Sequence, residues 1–405
     1  MKFSTLCSAA FVCLSVAILS ANLSYAHGNM GEAPGTKANA AISATWRDDG
    51  MLQPAGYWQI PGVLMGGEAF PVEQGFTVDE ARISVYHRTT HDVFGLLQVS
   101  SHDGSSSAEI HHAFVGVDLR PQSLDDIRFT VVAGRMVADM TPANGEHASD
   151  RLFSEAPLAL DAFLGRQLND DGARLAVSYG GLQLGVESWN GNAFPATSGA
   201  DGGSYDVYLH YRNRSQHWNW FAGLWWLQAD ALARTDTRYS ADGHQHGTAV
   251  VEVPQIWFDG RSDLGGAFLR VGYEWSELTQ MNFEIQYLQA DVEGDLRDET
   301  RTTEWIAEDN GGWIQASVEH GNHTVGLRWE KLVLENQLIG AAADALATLS
   351  GLSNQDHDPE RSTLTYQWQV KPSLALRLEA IEDDIQVESV QRLAVGVVWQ
   401  ADLLD

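Results

Sequence analysis

Between Gly172 and Trp189 the chain reads GARLAVSYGGLQLGVESW. Ala173, Leu175, Val177 and Tyr179 alternate with Arg174 and Ser178, and beyond Gly180-Gly181 Leu182, Leu184 and Val186 alternate with Gln183 and Glu187. A period of two is the signature of a strand, so the stretch predicts a hairpin. Each arm has the roughly nine residues that cross a bilayer's hydrocarbon when tilted. The pattern recurs along the chain. Ala40–Arg47 offers a first strand. Ala81–His87 and Phe94–Ser100, Glu109–Leu119 and Arg128–Met136, and Ser204–Arg212 and His217–Leu227 form further pairs. Val250–Asp259, Ala267–Trp275 and Met281–Gln289 follow, then Gly312–Glu319 with Thr324–Glu330, Leu364–Val370 with Leu374–Ala380, and Gln391–Gln400. In the Met281 run the apolar Met281, Phe283, Ile285 and Tyr287 oppose Asn282, Glu284 and Gln286. One side suits lipid and the other water. The expected fold is all-β: a closed antiparallel transmembrane β-barrel of about 16 strands, within a range of 14–18. Closure pairs every strand edge and leaves no backbone polar group bare in lipid. A soluble all-β protein is the alternative.

Two segments break the rhythm. Residues 137–171 carry no sustained alternation, and a connection of that length calls for a function. It is expected to fold into the lumen or over its mouth, narrowing the pore, to lie as a solvated surface loop, or to form a small separate subdomain. Residues 332–360 form a second insertion, whose LIGAAADALATLSGL core favours a short amphipathic helix. At the other end, Lys2, the apolar Ala9–Leu19 and the small residues of Ser24-Tyr25-Ala26 have the form of a secretory signal peptide over residues 1–26. Residues 27–39 then read as a periplasmic leader and 40–405 as the barrel.

Composition agrees and narrows the partners. With 54 acidic against 25 basic residues and a formal charge of −29, backbone binding of nucleic acid is excluded as a role. Fourteen tryptophans and 11 tyrosines beside 38 glycines suit short strands with aromatic girdles. Both cysteines, Cys7 and Cys13, fall in the segment read as signal peptide, which leaves no disulfide or thiolate metal site in the rest.

The candidate chemistry is carried by histidine and carboxylate. His102 with Asp103, and His147 with Asp150 in the long loop, are the residues that could bind zinc if their donors converge. Asp161, Arg166, Asp170, Asp171 and Arg174 are the candidates for pore lining or constriction, with Asp150 and Asp161 supplying a cation-attractive field. His111 and His112 are adjacent, and strand geometry points neighbours to opposite faces, so their adjacency alone makes no bidentate site. His244 and His246 lie in a loop-like GHQHG sequence. Arg128, Arg135, Arg174, Arg212, Arg270, Arg328 and Arg377 recur in or beside strands, where they could set a transverse field or simply pair with lumenal acids. No G-x-S-x-G elbow, H-E-x-x-H helix or phosphate loop occurs, so an enzyme is not expected.

Taken together, Gly75–Ile83, Glu109–Val117, Gly134-Arg135, Asn144–His147, Phe153–Leu158, Ala162–Gly165, Asp170–Gly172 and Gly191–Pro195 resemble the porin-like outer-membrane barrels. Within them they resemble the zinc-regulated, TonB-linked receptor group. The resemblance covers Gly75–Pro195 well and the later barrel loosely. It implies a bacterial outer-membrane barrel and metal-associated uptake. The chain departs from the group in three ways: no separate plug or coupling box is legible, and Ser149 stands where the group's His-Ala-His pattern has its second histidine. The expected function is therefore diffusion or facilitated uptake of small solutes, divalent metal ions such as zinc among them. No cofactor is required, and zinc is expected only as transported or loosely bound cargo. Outer-membrane lipid, lipopolysaccharide and the barrel-assembly machinery are the expected partners, and an energy-coupling partner is left open. An adhesin or structural barrel without transport is the alternative, with a barrel-embedded hydrolase behind it.

Overall fold

The computed structural model describes residues 33–51, 58–102, 108–121, 126–197, 203–239, 254–353 and 356–404. The segment read as signal peptide lies outside the described residues, as do Asp103 and the His244/His246 pair. The wall is built from β1 (Gly35–Arg47), β2 (Gly75–Arg88), β3 (Val93–His102), β4 (Glu109–Leu119), β5 (Ile127–Val137), β6 (Asn169–Tyr179), β7 (Leu182–Trp189) and β8 (Gly203–Arg214). It continues through β9 (Trp218–Arg234), β10 (Trp257–Ser276), β11 (Thr279–Arg297), β12 (Thr302–His320), β13 (His323–Val333), β14 (Asn336–Ile339), β15 (Glu360–Lys371), β16 (Leu374–Asp384) and β17 (Val390–Leu404). Neighbours pair antiparallel around the ring, and β1 closes it by pairing with both β2 and β17. The short β14 prolongs β13 in the same register along β12: Asn310 faces Val333 and Ala307 faces Asn336. Those two segments therefore make one wall position, and the barrel has 16 strands.

Several boundaries differ from the sequence reading. Strand β1 begins at Gly35, so residues assigned to a leader through 39 already pair with β2. Residues 332–339 belong to the wall, and the insertion proper holds the expected helix, α2 (Ala343–Ser350). Of the run Val250–Asp259, Trp257–Asp259 joins Ala267–Trp275 in one 20-residue strand, β10 (residues 250–253 lie outside the described residues). Strands β11 and β12 have 19 residues each, about twice what the hydrocarbon requires. Their outward residues change accordingly. On β11 Met281, Phe283, Ile285 and Tyr287 give way to Gln289, Asp291, Glu293 and Asp295, so the upper half stands clear of lipid.

The lipid face is apolar and exposed. Leu175, Tyr179, Leu182, Leu184 and Val186 of the β6–β7 hairpin all point outward, while Glu187 is fully buried inside. Aromatic residues mark two levels on β8–β10. Tyr205 meets Trp226 edge-on at 5.4 Å, and lower down Trp218 stacks on Trp220 at 5.6 Å and lies 4.5 Å from Tyr273. Eight residues separate Trp226 from Trp218, roughly 26 Å of strand before tilt, which matches the apolar band of a membrane barrel. Trp225 points the other way, into the lumen.

Two connections turn inward. No residue from Met136 to Asp170 is exposed, so the long loop lies inside the barrel. It contains a tight 3-10 turn, Pro142–Gly145, and a short helix, α1 (Leu158–Leu164). The connection after β1 lies across it. Trp58, Ile60, Val63 and Met65 join Leu158, Leu160 and Leu164 with the inward Tyr208, Trp225 and Phe268 in a hydrophobic core within the lumen. Glycines permit the closest approach. Gly67 (φ +66°) and Gly165 (φ +57°) both adopt left-handed backbone, and a Cβ on Gly165 would stand 2.8 Å from Cα of Gly67. Glu68 N donates to Gly165 O at 2.8 Å across that contact.

Candidate functional site

The lumenal loop is fastened by charged side chains that the strand period aims inward. Glu155 accepts from Arg361 at 2.7 Å and from Arg392 at 2.5 and 3.0 Å. Arg361 also donates to both oxygens of Glu330, and Oε2 of Glu330 accepts from Leu158 N as well, at 2.6 Å, at the start of α1. Ser154 donates from both N and Oγ to Glu379. Arg377 donates to Arg151 O, and Arg392 reaches Asp383 at 2.5 Å. Strands β13, β15, β16 and β17 thus each contribute to one clamp. Burial pushes the Glu155 carboxyl up, and the guanidiniums of Arg392 and Arg361 more than reverse this, holding it well below the usual carboxylate range. On the far side Arg270 bridges Glu146 at 2.6 Å and Glu284 at 2.8 Å.

The nominated lining residues fare unequally. Asp150 is bound by both Arg82 nitrogens at 2.6 and 2.8 Å, and Asp161 pairs with Arg166 at 3.0 Å. Both acids were expected to supply a cation-attractive field, and both are instead compensated at short range. Arg166 also donates to Phe70 O, tying the loop to the connection above it. Asp170 is structural: one oxygen accepts from Gly191 N and Asn192 N, both at 2.8 Å. Asp170 shares the inward face of β6 with Arg174, whereas Asp171 is on the outer face within 3.8 Å of Arg135 and does not line the lumen. Arg174 faces inward at the root of the loop, bonded to Glu187 and to Val137 O. Arg270, Arg328 and Arg377 are inward as well.

The histidines converge further than the sequence suggested. His102, at the top of β3, His111 on β4 and His147 in the loop each bring a ligand nitrogen within 4.8 Å of the others. His111 arrives there through a bulge. Gln98 faces His112 and Val99 faces Ile110, so His111 is the extra residue and turns inward beside His112. A second bulge does the same on β2, where Ser43 faces Glu80 and Ala44 faces Val78. Asp79 and Glu80 are both buried inside as a result. Glu80 stands 3.1 Å from Nδ1 of His147, and its other oxygen accepts from Ser149 N. Burial pushes the His147 imidazole down despite that carboxylate, which favours the neutral ring. His102 and His147 also line a lumenal cavity of about 50 Å³ with Glu146, Arg151, Asp161 and Gln167.

The fold has close counterparts among solved structures. An anion-selective porin from Comamonas acidovorans superposes with a TM-score of 0.52 at 12% identity, covering 91% of this chain and 100% of that one. A loop-deletion mutant of OmpT, an outer-membrane protein of Vibrio cholerae, gives 0.51 at 9% identity over 91% and 99% of the two chains. OprB of Pseudomonas putida gives 0.50 at 10% identity over 91% and 94%. The fold is a porin barrel. No protein-family model matches the chain, and no curated protein matches its sequence. At such identities the porin likeness covers the wall and says nothing of cargo. The wall itself, closed and apolar outside, is that of a bacterial outer-membrane protein.

Proposed function

We propose that the protein is an outer-membrane conduit for diffusion or facilitated uptake of small polar solutes, with divalent metal ions such as zinc as its best-suited cargo. The observation that carries this reading is the lumenal loop: it crosses a membrane barrel, is anchored by ion pairs to the wall, and leaves a narrow polar space edged by His102 and His147. A cavity of that size suits ions better than bulky solutes. Imidazole donors suit zinc better than magnesium, which prefers oxygen. Passive movement is favoured over TonB-linked transport because the barrel's own connections occupy the lumen. The hydrophobic core formed by Trp58 and Leu158 with the wall supports a second reading, a structural barrel that does not transport.

Vesicles reconstituted with the protein test the first reading. Zinc influx is expected to fall in a His102→Ala/His147→Ala double variant while magnesium flux stays unchanged. Equal effects on both ions, or none on either, would remove zinc as the selected cargo.

A further inference from the structure

Around His111 and His147 the hydrogen bonds fix which nitrogen each ring turns inward. Nδ1 of His147 faces the Glu80 carboxylate at 3.1 Å, and Nε2 of His111 faces Oε1 of Gln167 at 2.7 Å. Both oxygens only accept, so both ring protons sit on those nitrogens. Nε2 of His147 and Nδ1 of His111 keep their lone pairs, and both point at the amide nitrogen of Gln98, at 2.9 and 3.5 Å. An NH2 donor held between two imidazole lone pairs occupies the position a cation would take. His102 completes the group: its ring stacks 6.0 Å from His147 and lies 5.4 Å from His111, with Nε2 on Ser100 and Nδ1 on the other edge. Two metal–nitrogen bonds of about 2.0–2.1 Å place the nitrogens roughly 3.3 Å apart in a tetrahedral site. The group lies within 4.8 Å, and an ion bound between the rings would take the place of the Gln98 amide and draw them to that spacing.

We infer that His102, His111 and His147 form a three-histidine site for a zinc-class divalent ion, that Glu80 is its positioning carboxylate, and that the bound ion ties the lumenal loop to β3 and β4. Three imidazole donors leave a fourth position toward the cavity, so the ion exchanges with the lumen. Glu80 on the outer nitrogen of His147 is the carboxylate–histidine arrangement that orients metal ligands. The sequence nominated Asp103 and Asp150 beside these histidines. Asp150 is committed to Arg82, and the structure assigns the third donor to His111 instead.

The inference rests on the metal branch of the reading above. Its test uses binding to the folded barrel without flux across a membrane, so either can fail alone. Zn2+ binding to the full-length detergent-folded protein is measured by equilibrium dialysis in excess Mg2+, and Co2+ binding by visible absorption, with folding checked by heat-modifiable migration. A single zinc ion per chain retained against magnesium, with tetrahedral cobalt bands, is expected. His147→Gln and His111→Gln abolish both signals. Glu80→Gln keeps the cobalt bands and lowers affinity about 10–100-fold. If either histidine variant does not fold, His102→Gln, at the half-buried rim, reads the same loss. Zinc binding unchanged in the folded histidine variants, or displaced by magnesium, overturns the site.

Discussion

Glu155 shows how much one lumenal residue can hold. It is the shared acceptor of Arg361 and Arg392, from two different strands, and its own backbone carbonyl accepts from Arg328. Removing one partner of a buried ion pair costs about 3–5 kcal/mol, because the remaining charges stay buried. Glu155→Gln is therefore expected to free the loop, seen as faster proteolysis between residues 138 and 168 in the folded barrel. The pH dependence has a definite sign. The folded carboxyl titrates below its ordinary value of 4.5, so its ionisation stabilises the clamp in full above that value. The contribution is lost as pH falls toward the folded value. The protection difference between parent and Glu155→Gln should be constant from pH 5 to 8 and shrink below about pH 4. A difference that grows on acidification contradicts the assignment. At this scale the sequence was legible where a residue follows the strand period and illegible where a bulge breaks it. Strict alternation sets His111 and His112 on opposite faces, and likewise Asp79 and Glu80. In each pair the extra bulge residue, His111 or Asp79, turns in beside its neighbour, so the metal-site donor His111 was missed, whereas Glu80 follows the inward period of Arg82 and Ser84.

At the scale of elements, the lumen holds two layers, the loop with α1 and the connection from β1 above it. They meet through Gly67 and Gly165 with no side chain between them. An alanine at 165 would keep a left-handed backbone at a cost of about 1–2 kcal/mol. Its Cβ would also meet Gly67 backbone, which has no flexible end to yield. Gly165→Ala is expected to lift the upper layer and raise single-channel conductance in planar bilayers. Conductance unchanged from the parent would mean that this layer does not restrict the path. The strands were read well where lipid dictates one face, as in Met281–Tyr287. They were read short where the wall rises above the membrane. In β12 Glu304 and Glu308 point outward beside Ile306, so water contacts both ends of the pattern and the period fades although pairing with β11 continues unbroken. The loop between β5 and β6 stood out in the sequence only as a break in alternation. Its inward course depends on Glu330, Arg361, Glu379 and Arg392, which come from strands far along the chain and leave no local signal.

For the whole molecule, closure of 16 strands pairs the backbone and fixes an outside that lipid accepts. The inside is then free to carry charge, and here it carries compensated charge: Asp150, Asp161 and Glu155 are paired with arginine, and the wider lumen is filled by the barrel's own connections. Such an interior passes small ions slowly and selectively if the polar space beside His102 and His147 is continuous, and passes nothing if the apolar core seals it. Single-channel recording of the refolded barrel in planar bilayers separates these directly. The account predicts small, discrete conductance steps that increase when residues 138–168 are replaced by a short turn. A barrel that inserts and shows heat-modifiable migration yet carries no current before and after that replacement would contradict the assignment as a conduit.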